Sequence, residues 1–577
     1  MRRLARTIAL GAVLSVGLVG CAGLPTDGAF QAGLKADDPA SSIRWQFSPD
    51  GPEDGAKPIE IVYGFINAGE SPANDWEVAR EFLAPQARST WNPDARATID
   101  SVNDREIGDF LADEGGETGE LSVRVAPTAT VDETGRYELA DTSVRSFDFE
   151  LVLVDGEWRI SSAPDGVVVQ SGTFSSIYTP QKLMFSAPGD RLAPDLRWFP
   201  DSSGLVTRVV RELVEGGPAA WLDLAVSSAF TGVMLNQVTV DGNGTATVDL
   251  SEEVEQADPV RRARMQTQLE QTLASFGIAQ VRMTVDGTRV TAPDDAIVST
   301  EPDARALVMT EDDFGYLTNG EITPITGLTD AITARFTPAA DEEDPASTIS
   351  VAPDLSHAVV QTEGGEIWRI DAETAEFEAL SYETDWVPPA LDPFGNAWAV
   401  PTDKPKRIIV WDADGDPHEI AGVERLTQVS AIEVARDGAR VAIAGRIDDQ
   451  AVLIAAGIRR DEATGVPIAL TGARVVSYLP ERATSAAWVS DTMVAAMMAG
   501  DERTLIREQQ VGGTAENPTA SFVASAITYG NPESRERLLA ADGSLYVRNA
   551  TTWQQAGSGV VVLATQIGAP PVASTGG

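Results

Sequence analysis

Residues 238–251, VTVDGNGTATVDLS, decide how the middle of this chain folds. Apolar and polar residues alternate over Met234–Val240 and over Thr245–Leu250, as they do in strands that bury one face. The four residues between them, Asp241-Gly242-Asn243-Gly244, have the composition of a tight hairpin turn. The stretch therefore predicts two antiparallel strands joined by a short turn.

The flanking sequence extends this hairpin into an α/β unit over residues 190–297. Upstream, Val206–Val214 has helical spacing and stops at Gly216-Gly217-Pro218, a helix-ending combination. Downstream, Pro259–Phe276 predicts a long helix whose proline lies in the first turn, where a missing N–H does no harm. Val281–Val285 predicts one more strand.

Residues 58–188 predict a smaller α+β unit. Pro58–Phe65 and Asn74–Leu83 have helical spacing, and Asn74 or Asp75 is suited to cap the second helix. Three strands follow, of which the last continues through the turn Asp155-Gly156 into a hairpin partner. The predicted strands are Leu121–Val125, Thr128–Val131 and Phe147–Val154. This unit contains no histidine and no matched pair of acids placed for catalysis.

Residues 305–570 repeat a short theme, a small turn followed by an alternating or apolar strand. The turns are Pro353-Asp354-Leu355-Ser356, Asp392-Pro393-Phe394-Gly395, Arg436-Asp437-Gly438, Val489-Ser490-Asp491 and Ala541-Asp542-Gly543. Copies start about 40–55 residues apart, which suits one four-stranded propeller blade per repeat. A blade cannot bury both of its faces alone, so the copies must stack around an axis. The repeat predicts a β-propeller of five to seven blades, of which we choose six, and places the charged run Asp341–Asp344 in a loop between blades.

The first 20 residues have the layout of a secretory signal. Arg2, Arg3 and Arg6 give a positive start, and the apolar run Ile8–Val19 is too short for a hydrocarbon core that needs roughly 20 residues. Cys21 follows and is the only cysteine in 577 residues. Residues 21–57 are rich in proline, glycine, aspartate and serine, which predicts a linker.

The formal net charge of −44 excludes some partners. Nucleic acid phosphates require a basic face, and anionic lipid would repel a body of this charge. We therefore expect no nucleic acid partner, and we expect self-repulsion to keep the body soluble and away from the membrane surface.

The sequence offers little catalytic chemistry. His357 and His418 are the only histidines, and both fall in propeller strands or turns, where a structural role is favoured over a Ser-His-Asp arrangement. Asp412–Asp416 is the best calcium candidate, but it lacks the EF-hand spacing, and a β-turn explains it better. Trp386 and Trp553 are expected to fill gaps between blades rather than to bind a partner. We predict that the protein is not an enzyme and has no catalytic residue, metal site or cofactor.

Residues 18–21, LVGC, resemble the lipobox of bacterial lipoproteins. This resemblance implies that Cys21 carries diacylglycerol and that the signal is cleaved between Gly20 and Cys21. Two or more acyl chains then hold the protein stably on the membrane, whereas one holds it only marginally. The alternative is an ordinary signal peptide followed by an incidental cysteine.

The later parts resemble known domains as well. The two helices and the sheet ending in DGEWRI over residues 58–188 resemble the nuclear-transport-factor-two-like cone, which often holds a pocket. Residues 190–297 resemble a GerMN domain, which implies a β-α-β core used for contacts outside the cytoplasmic membrane. The fold class expected is therefore multidomain: a cone-like α+β domain, a GerMN-like α/β domain and a C-terminal β-propeller.

In this order the parts resemble the LpqB family of actinobacterial lipoproteins. VTVDGNGTATVDLS with QTQLEQTL (residues 266–273), and SVAPDLSHAVV (residues 350–360), carry the resemblance most strongly. It implies a lipid-anchored accessory of a two-component system on the extracytoplasmic face of the cell membrane. The family is held to contact the sensor kinase MtrB and so to tune phosphorylation of MtrA, which affects cell-wall homeostasis and division. Two alternatives stay open: an enzyme acting on envelope glycans through two acids in one cleft, and an envelope ligand sensor that uses the cone pocket.

Overall fold

The computed structural model describes residues 49–140, 143–295, 297–340, 344–530 and 536–568. The predicted signal peptide, Gly20, Cys21 and the predicted linker up to residue 48 lie outside these ranges. The first three residues of the charged run at 341–344 also lie outside them. The fourth, Asp344, accepts a hydrogen bond from the backbone N–H of Gly364 at 2.7 Å.

The N-terminal domain packs helices against two sheets. The helices are Pro58–Ala68, Glu77–Glu81, Pro85–Thr90 and Phe174–Ile177, with 3-10 turns at Pro93–Ala95 and Val102–Asp104. One sheet has the order Tyr137–Leu139, Pro127–Asp132, Arg96–Asp100, Val167–Gln170. The other has the order Glu106–Ile107, Thr118–Val125, Arg145–Val154, Glu157–Ser162, with Leu111–Ala112 paired to its second strand. All three predicted strands and the hairpin through Asp155-Gly156 are confirmed.

The second helix of this domain is shorter than predicted. It begins only at Glu77, because Asn74, Asp75 and Trp76 all have left-handed backbone angles (φ 50°, 61° and 54°). The prediction of Asn74 or Asp75 as N-cap was therefore wrong. The side chain of Trp76 is buried, and its indole N–H donates to the carbonyl of Gly69, which follows the preceding helix, at 3.0 Å.

A long two-stranded hairpin leads from this domain into the α/β domain. Tyr178–Ala187 pairs antiparallel with Arg191–Pro200 along its whole length. The predicted division between residues 188 and 190 falls in the turn of this hairpin, so we place the division before Tyr178 instead. Sequence analysis missed these strands, although Leu183, Phe185 and Ala187 fall at every second position and precede Pro188-Gly189-Asp190.

The α/β domain has the predicted strands and helices. Its sheet has the order Leu235–Val240, Thr245–Leu250, Gln280–Val285, Thr288–Arg289. Its helices are Leu205–Arg211, continued by a π-helical turn at Glu212–Gly216, then Glu253–Gln256 and Pro259–Leu273, continued by a 3-10 turn at Ala274–Phe276. The second and third strands are parallel and joined through the long helix, which gives the expected β-α-β core.

Local chemistry explains why these residues fold in this way. The carboxylate of Asp241 accepts the backbone N–H groups of Asn243 and Thr245, both at 2.9 Å, and so closes the hairpin turn. Asp258 caps the long helix by accepting the N–H of Arg261 at 2.8 Å. Met265 and Leu269 then lie fully buried on its inner face.

The C-terminal domain is a propeller of six blades over the residues that the structure describes. Blade one consists of Ala306–Thr310, Phe314–Thr318, Glu321–Thr323 and, from the C-terminal end, Val560–Gln566. Blade two is Ala346–Val351, His357–Thr362, Ile367–Asp371 and Phe377–Ser381; blade three is Ala390–Leu391, Ala397–Ala399, Arg407–Trp411 and Pro417–Ala421. Blade four is Gln428–Val434, Arg440–Ile447, Gln450–Arg460 and Pro467–Tyr478. Blade five is Ser485–Trp488, Met493–Ala499, Thr504–Gln510 and Ala515–Glu516, with Thr519–Ala520 on its third strand; blade six is Ala524–Thr528, Arg537–Ala540, Leu545–Asn549 and Thr552–Gly557. The helix Leu328–Phe336 connects blades one and two.

The ring closes through its two ends. Val560–Gln566 pairs antiparallel with Ala306–Thr310, so one blade combines strands from the start and the end of the domain. The innermost strands of successive blades contact one another around the whole ring, including a parallel pairing of Val560–Gln566 with Ala346–Val351. The predicted number of six blades is confirmed.

Turns at the two ends of the strands form the two faces of the propeller. Counting the strands of each blade from the innermost outward, we call the turn between the first and second strands its first turn, and the turn between the second and third strands its second turn. In blade one the innermost strand is Val560–Gln566. Four of the five predicted turns are first turns, but Ala541-Asp542-Gly543 joins the second and third strands of blade six. The prediction that this turn occupies the same position in its blade as the other four was wrong, because Asp-Gly turns occur on both faces of the propeller.

Candidate functional site

The hairpin Tyr178–Pro200 holds the three domains together. Leu183 and Phe185 belong to one hydrophobic core that runs from the α/β domain into blades four and five. Trp198 belongs to the core of the N-terminal domain, where its ring lies 4.9 Å from that of Phe174. The indole N–H of Trp198 donates to the carbonyl of Gly512 in blade five at 3.0 Å. One hairpin is therefore buried against both neighbours.

Deep ion pairs accompany the hairpin. Arg197 is fully buried and donates to the carboxylate of Asp195 at 2.6 Å. Arg440 in blade four is equally deep, pairs with Asp437 of its own first turn and also reaches the carbonyl of Pro194 at 3.5 Å. Isolated buried charges are costly, so each of these carboxylates is needed by its arginine.

The same turn chemistry recurs around this face. In the first turns of blades two, three and four, an aspartate accepts the backbone N–H two residues further on: Asp354 from Ser356, Asp392 from Phe394 and Asp437 from Ala439. Blade five uses Ser490 in the same way toward Thr492. These side chains hold the turns in shape.

Both histidines have structural surroundings. His357 is buried, with Nδ1 at 3.0 Å from the hydroxyl of Ser356 and Nε2 at 3.2 Å from the carbonyl of Gly395. Burial and the nearby Arg369 lower the pKa of His357. Ser356 donates its hydroxyl hydrogen to Asp354 at 2.6 Å, so the order of contacts differs from a Ser-His-Asp triad.

The predicted calcium candidate is a turn. Asp412 accepts the backbone N–H groups of Asp414 and Asp416, both at 3.0 Å, and its other oxygen lies 2.7 Å from Nε2 of His418. These contacts join the strands Arg407–Trp411 and Pro417–Ala421, as the turn interpretation expected. Among the described residues, no group of three or more histidine, cysteine, aspartate or glutamate side chains is placed to hold a metal ion.

The two tryptophans singled out from the sequence pack within the propeller. Trp386 is 8% exposed and meets Trp411 edge to face, with 5.5 Å between ring centroids. Trp553 packs against Phe522 at 6.2 Å and donates to the carbonyl of Thr519. The prediction that they fill gaps is confirmed.

A pair of acids lies deep between blades five and six. Glu508 and Glu536 are 4% and 7% exposed, and Arg548 pairs with both. Tyr529 donates to Glu508 at 3.0 Å. Burial and the nearby Glu508 raise the pKa of Glu536. The pair is enclosed by its own partners, unlike the acids of a glycosidase, which flank a substrate in an open cleft.

The interior of the N-terminal domain is filled by aromatic side chains. Phe65 contacts Trp91 and Phe149 edge to face, at 5.0 Å and 6.0 Å between ring centroids. The cavity that these rings line has a volume of only about 20 Å³, room for about one water molecule. The sequence left pocket and scaffold open for this domain, and the packing favours a scaffold.

The second turns form a face of different character, which we call the acidic face. Nine acidic side chains are exposed on these six turns and only three basic ones. The acids are Glu311, Asp312, Glu363, Asp403, Asp448, Asp449, Asp501, Glu502 and Asp542; the bases are Lys404, Lys406 and Arg503. The hairpin and the N-terminal domain pack at the opposite ends of the blades.

The predicted lipidation site, Cys21, and its cleavage partner, Gly20, lie outside the described residues. Among the helices that the structure describes, none is both long enough and apolar enough to cross a membrane.

Comparisons with known proteins match all three parts in this order. The profile "Lipoprotein LpqB, N-terminal domain" matches residues 51–175, "Sporulation and spore germination" matches 180–291, and "Lipoprotein LpqB beta-propeller domain" matches 307–563. The first of these supports a family-specific N-terminal domain, and the second supports the GerMN resemblance.

Curated relatives carry the same family name. Proteins named "Lipoprotein LpqB" from Cutibacterium acnes and Nocardia farcinica are 30% and 33% identical, over 48% and 37% of this chain. Those alignments span 46% and 34% of the relatives, so the chain matches less than half the length of each. The Streptomyces coelicolor protein of that name is 26% identical over 97% of both chains. A solved chain of a nidogen/laminin complex aligns with a TM-score of 0.34 and 10% identity over 45% of this chain and 97% of its own, too weak a likeness to argue from. The three domain matches in order, together with the end-to-end relative, show that the chain belongs to the LpqB family of lipoproteins.

Proposed function

We propose that this protein is a lipid-anchored, extracytoplasmic binding protein that modulates a sensor kinase of the MtrB type by direct contact. Its role is binding and not catalysis, and its effect on cell-wall homeostasis and division follows from the kinase. Family membership supports the class, and the acidic face supports the mode of action. The observation that carries the proposal is this face: nine exposed acids presented on one end of a rigid propeller.

The anchor is the first element of this proposal. Cys21 at the end of the LVGC stretch becomes the amino terminus after cleavage and carries the acyl chains. Replacing Cys21→Ser would leave the domains folded and release the protein from the membrane. Mass spectrometry of the mature protein from membranes tests this directly. An unmodified Cys21 thiol in membrane-bound material would contradict the anchor.

The acidic face sets the expected chemistry of the contact. Clustered acids attract a partner surface rich in lysine and arginine, which accelerates association and makes it sensitive to salt. The acidic face is not covered by the hairpin Tyr178–Pro200 or by the other domains, because these pack at the opposite ends of the blades. The kinase surface that we expect is therefore basic.

The test uses the full mature protein in detergent and the immobilised extracytoplasmic domain of the kinase. We expect retention at micromolar concentration and loss of retention in a variant carrying Asp448→Asn, Asp449→Asn, Asp501→Asn and Glu502→Gln. A matched control changes the same charge elsewhere, with Asp104→Asn, Asp109→Asn, Glu114→Gln and Glu117→Gln in the N-terminal domain. Equal loss in both variants would indicate a general charge effect, and no retention of the native protein would refute the kinase partner.

A further inference from the structure

A cavity of about 370 Å³ lies where the tip of the hairpin meets the centre of the propeller. Its walls come from the first turns of blades two and three, from the hairpin tip and from Val298-Ser299 in the connection to blade one. Its volume falls within the range of about 300–1,000 Å³ that is typical of small-molecule sites. It differs from the interior of the N-terminal domain, which its own side chains fill.

Three arginines line this cavity, and they come from separate parts of the chain. Arg191 belongs to the hairpin, Arg369 to blade two and Arg436 to blade four. Within the described ranges, none of the three has a carboxylate within 4 Å. What sets them apart from other arginines without an ion pair is that all three line one cavity.

The neighbouring deep arginines show the opposite arrangement. Arg197, Arg440 and Arg460 each have an aspartate within 3.0 Å and are almost completely buried. An arginine inside a protein normally has such a partner, because desolvating a cation without compensation is unfavourable. The cavity arginines lack such a partner, so their charge is available to an anion that enters the cavity.

Their hydrogen bonds leave donors unused. Arg369 donates through Nη1 to the carbonyls of Asp412 and Ala413, and Arg436 donates through Nη2 to the carbonyl of Trp488 at 2.9 Å. A guanidinium has five N–H donors in a planar fork. The remaining nitrogens of Arg369 and Arg436 have no hydrogen-bond acceptor among the described residues. They are also not among the side-chain atoms that are fully buried without a hydrogen-bond partner. These nitrogens therefore keep some solvent exposure, and both arginines line the cavity.

No acid forms an ion pair with these arginines, although Asp392 and Asp437 lie close enough to Arg191, and Asp437 and Asp491 close enough to Arg436, to act on their charge. Asp354 is the one acid among the lining residues, and it accepts the N–H and the hydroxyl of Ser356. Glu433 lies close enough to Arg436 to affect its charge, but burial raises the pKa of Glu433 to about 8, so this carboxyl is mostly protonated at neutral pH. Among the residues that line the cavity, three arginines therefore stand beside one aspartate.

We propose that this cavity binds a small oxyanion, a molecule whose phosphate or carboxylate oxygens accept hydrogen bonds from the free N–H groups of Arg369 and Arg436. Guanidinium forks match the oxygen spacing of both groups. Arg191 approaches from the hairpin and stacks on Phe394 of blade three, with its guanidinium carbon 5.0 Å from the ring centre. A bound anion therefore contacts the hairpin and two blades at once, and it stabilises their arrangement.

Isothermal titration calorimetry of the full mature protein in detergent tests the site with two probes, pyrophosphate and citrate, at constant ionic strength. Sucrose serves as the neutral control. We expect saturable binding of at least one anion and none of sucrose. Binding of pyrophosphate alone identifies phosphate as the recognised group, and binding of citrate alone identifies carboxylate. Absence of saturable binding of both anions up to about 1 mM, near −4 kcal/mol, overturns the proposal.

Variants locate the binding. Arg369→Gln and Arg436→Gln should each weaken it by about tenfold or more, since each removes a charge-assisted contact. Arg482→Gln, at an exposed position between blades four and five, should leave it unchanged. Equal affinity in all variants would place the anion elsewhere and overturn the proposal.

Melting temperatures separate binding from a structural role. Because the cavity arginines have no carboxylate partner and donate only to backbone carbonyls, their replacement should lower the melting temperature of the unliganded protein far less than the loss of a buried ion pair would. The anion should raise the melting temperature of the native protein by mass action and that of Arg436→Gln much less. If Arg436→Gln is too unstable to measure, Arg191→Gln at the edge of the cavity provides the same comparison. A lower unliganded melting temperature in both variants, without loss of anion binding, would assign these arginines to the fold.

Discussion

The two faces of the propeller are formed by the same six blades, yet they treat acidic residues in opposite ways. On the hairpin side, Asp392 and Asp437 are buried and accept hydrogen bonds from their own turns and from arginines. On the acidic face, Asp448, Asp449 and Asp501 are exposed. The same residue type therefore holds the fold at one end of the strands and leaves a charged surface at the other.

The difference shows that burial under the hairpin determines whether a carboxylate of the propeller contributes to stability. A carboxylate under the hairpin is desolvated and needs a cation, and the cation then depends on it. A carboxylate in water interacts weakly with its neighbours and is screened by salt. Substitutions on the two faces should therefore differ strongly in their effect on stability.

The largest effect is expected for Asp437→Ala, which leaves the buried Arg440 without its carboxylate and removes the turn contact to Ala439. We expect a loss of about 3–5 kcal/mol in the free energy of unfolding, measured by urea titration. Glu424→Ala is the control, since it removes the partner of Lys406 in an exposed pair. Similar losses in the two variants would contradict the contrast between buried and exposed acids.

Sequence reasoning captured the features that are local. The turn at Asp241-Gly242-Asn243-Gly244, the long helix from Pro259 and the blade repeat all follow from residues close together in the chain. The spacing of the repeat limited the number of blades to five to seven, and the structure has six.

The features that it missed depend on contacts distant in sequence. Arg440 and Pro194 are 246 positions apart, and nothing near either residue signals their contact. The filled interior of the N-terminal domain also depends on Phe65 contacting both Trp91 and Phe149, which come from distant parts of the chain. The three cavity arginines resemble ordinary surface residues in the sequence, because their shared feature is the absence of a nearby acid in space.

A smaller effect is expected for Gly189→Ala at the hairpin tip. Gly189 has φ +68°, and a Cβ there would lie 2.7 Å from the ring of Phe394. We expect a loss of about 2 kcal/mol from strain and overpacking, measured by urea unfolding. Gly287→Ala is the control: its φ is +74°, but a Cβ there would meet nothing within 4 Å. If the two losses were equal, the hairpin tip would not be tightly docked on blade three.

The next effect concerns pH. Burial raises the pKa of Glu433 from 4.5 to about 8, with Arg436 acting in the opposite direction. Between these values the folded protein keeps a proton that the unfolded chain releases, so this carboxyl lowers stability as pH rises through that window. Glu433→Gln should therefore reduce the loss of stability between pH 5 and pH 8, by on the order of 1 kcal/mol. Urea unfolding at both pH values measures it, with the exposed Glu321→Gln as control. An unchanged pH dependence would place an ionised Glu433 in contact with water.

The smallest effect is expected on the acidic face. Replacing Asp448, Asp449, Asp501 and Glu502 by their amides should change the free energy of unfolding by no more than about 0.5 kcal/mol, because these side chains are exposed. At low salt the sign should be slightly stabilising, since the protein has a large excess of negative charge. Urea unfolding at low and high salt measures both points. Acids that contribute nothing to the fold but stand together on one face are available for binding, so a loss as large as that of Asp437→Ala would remove the argument for a partner here.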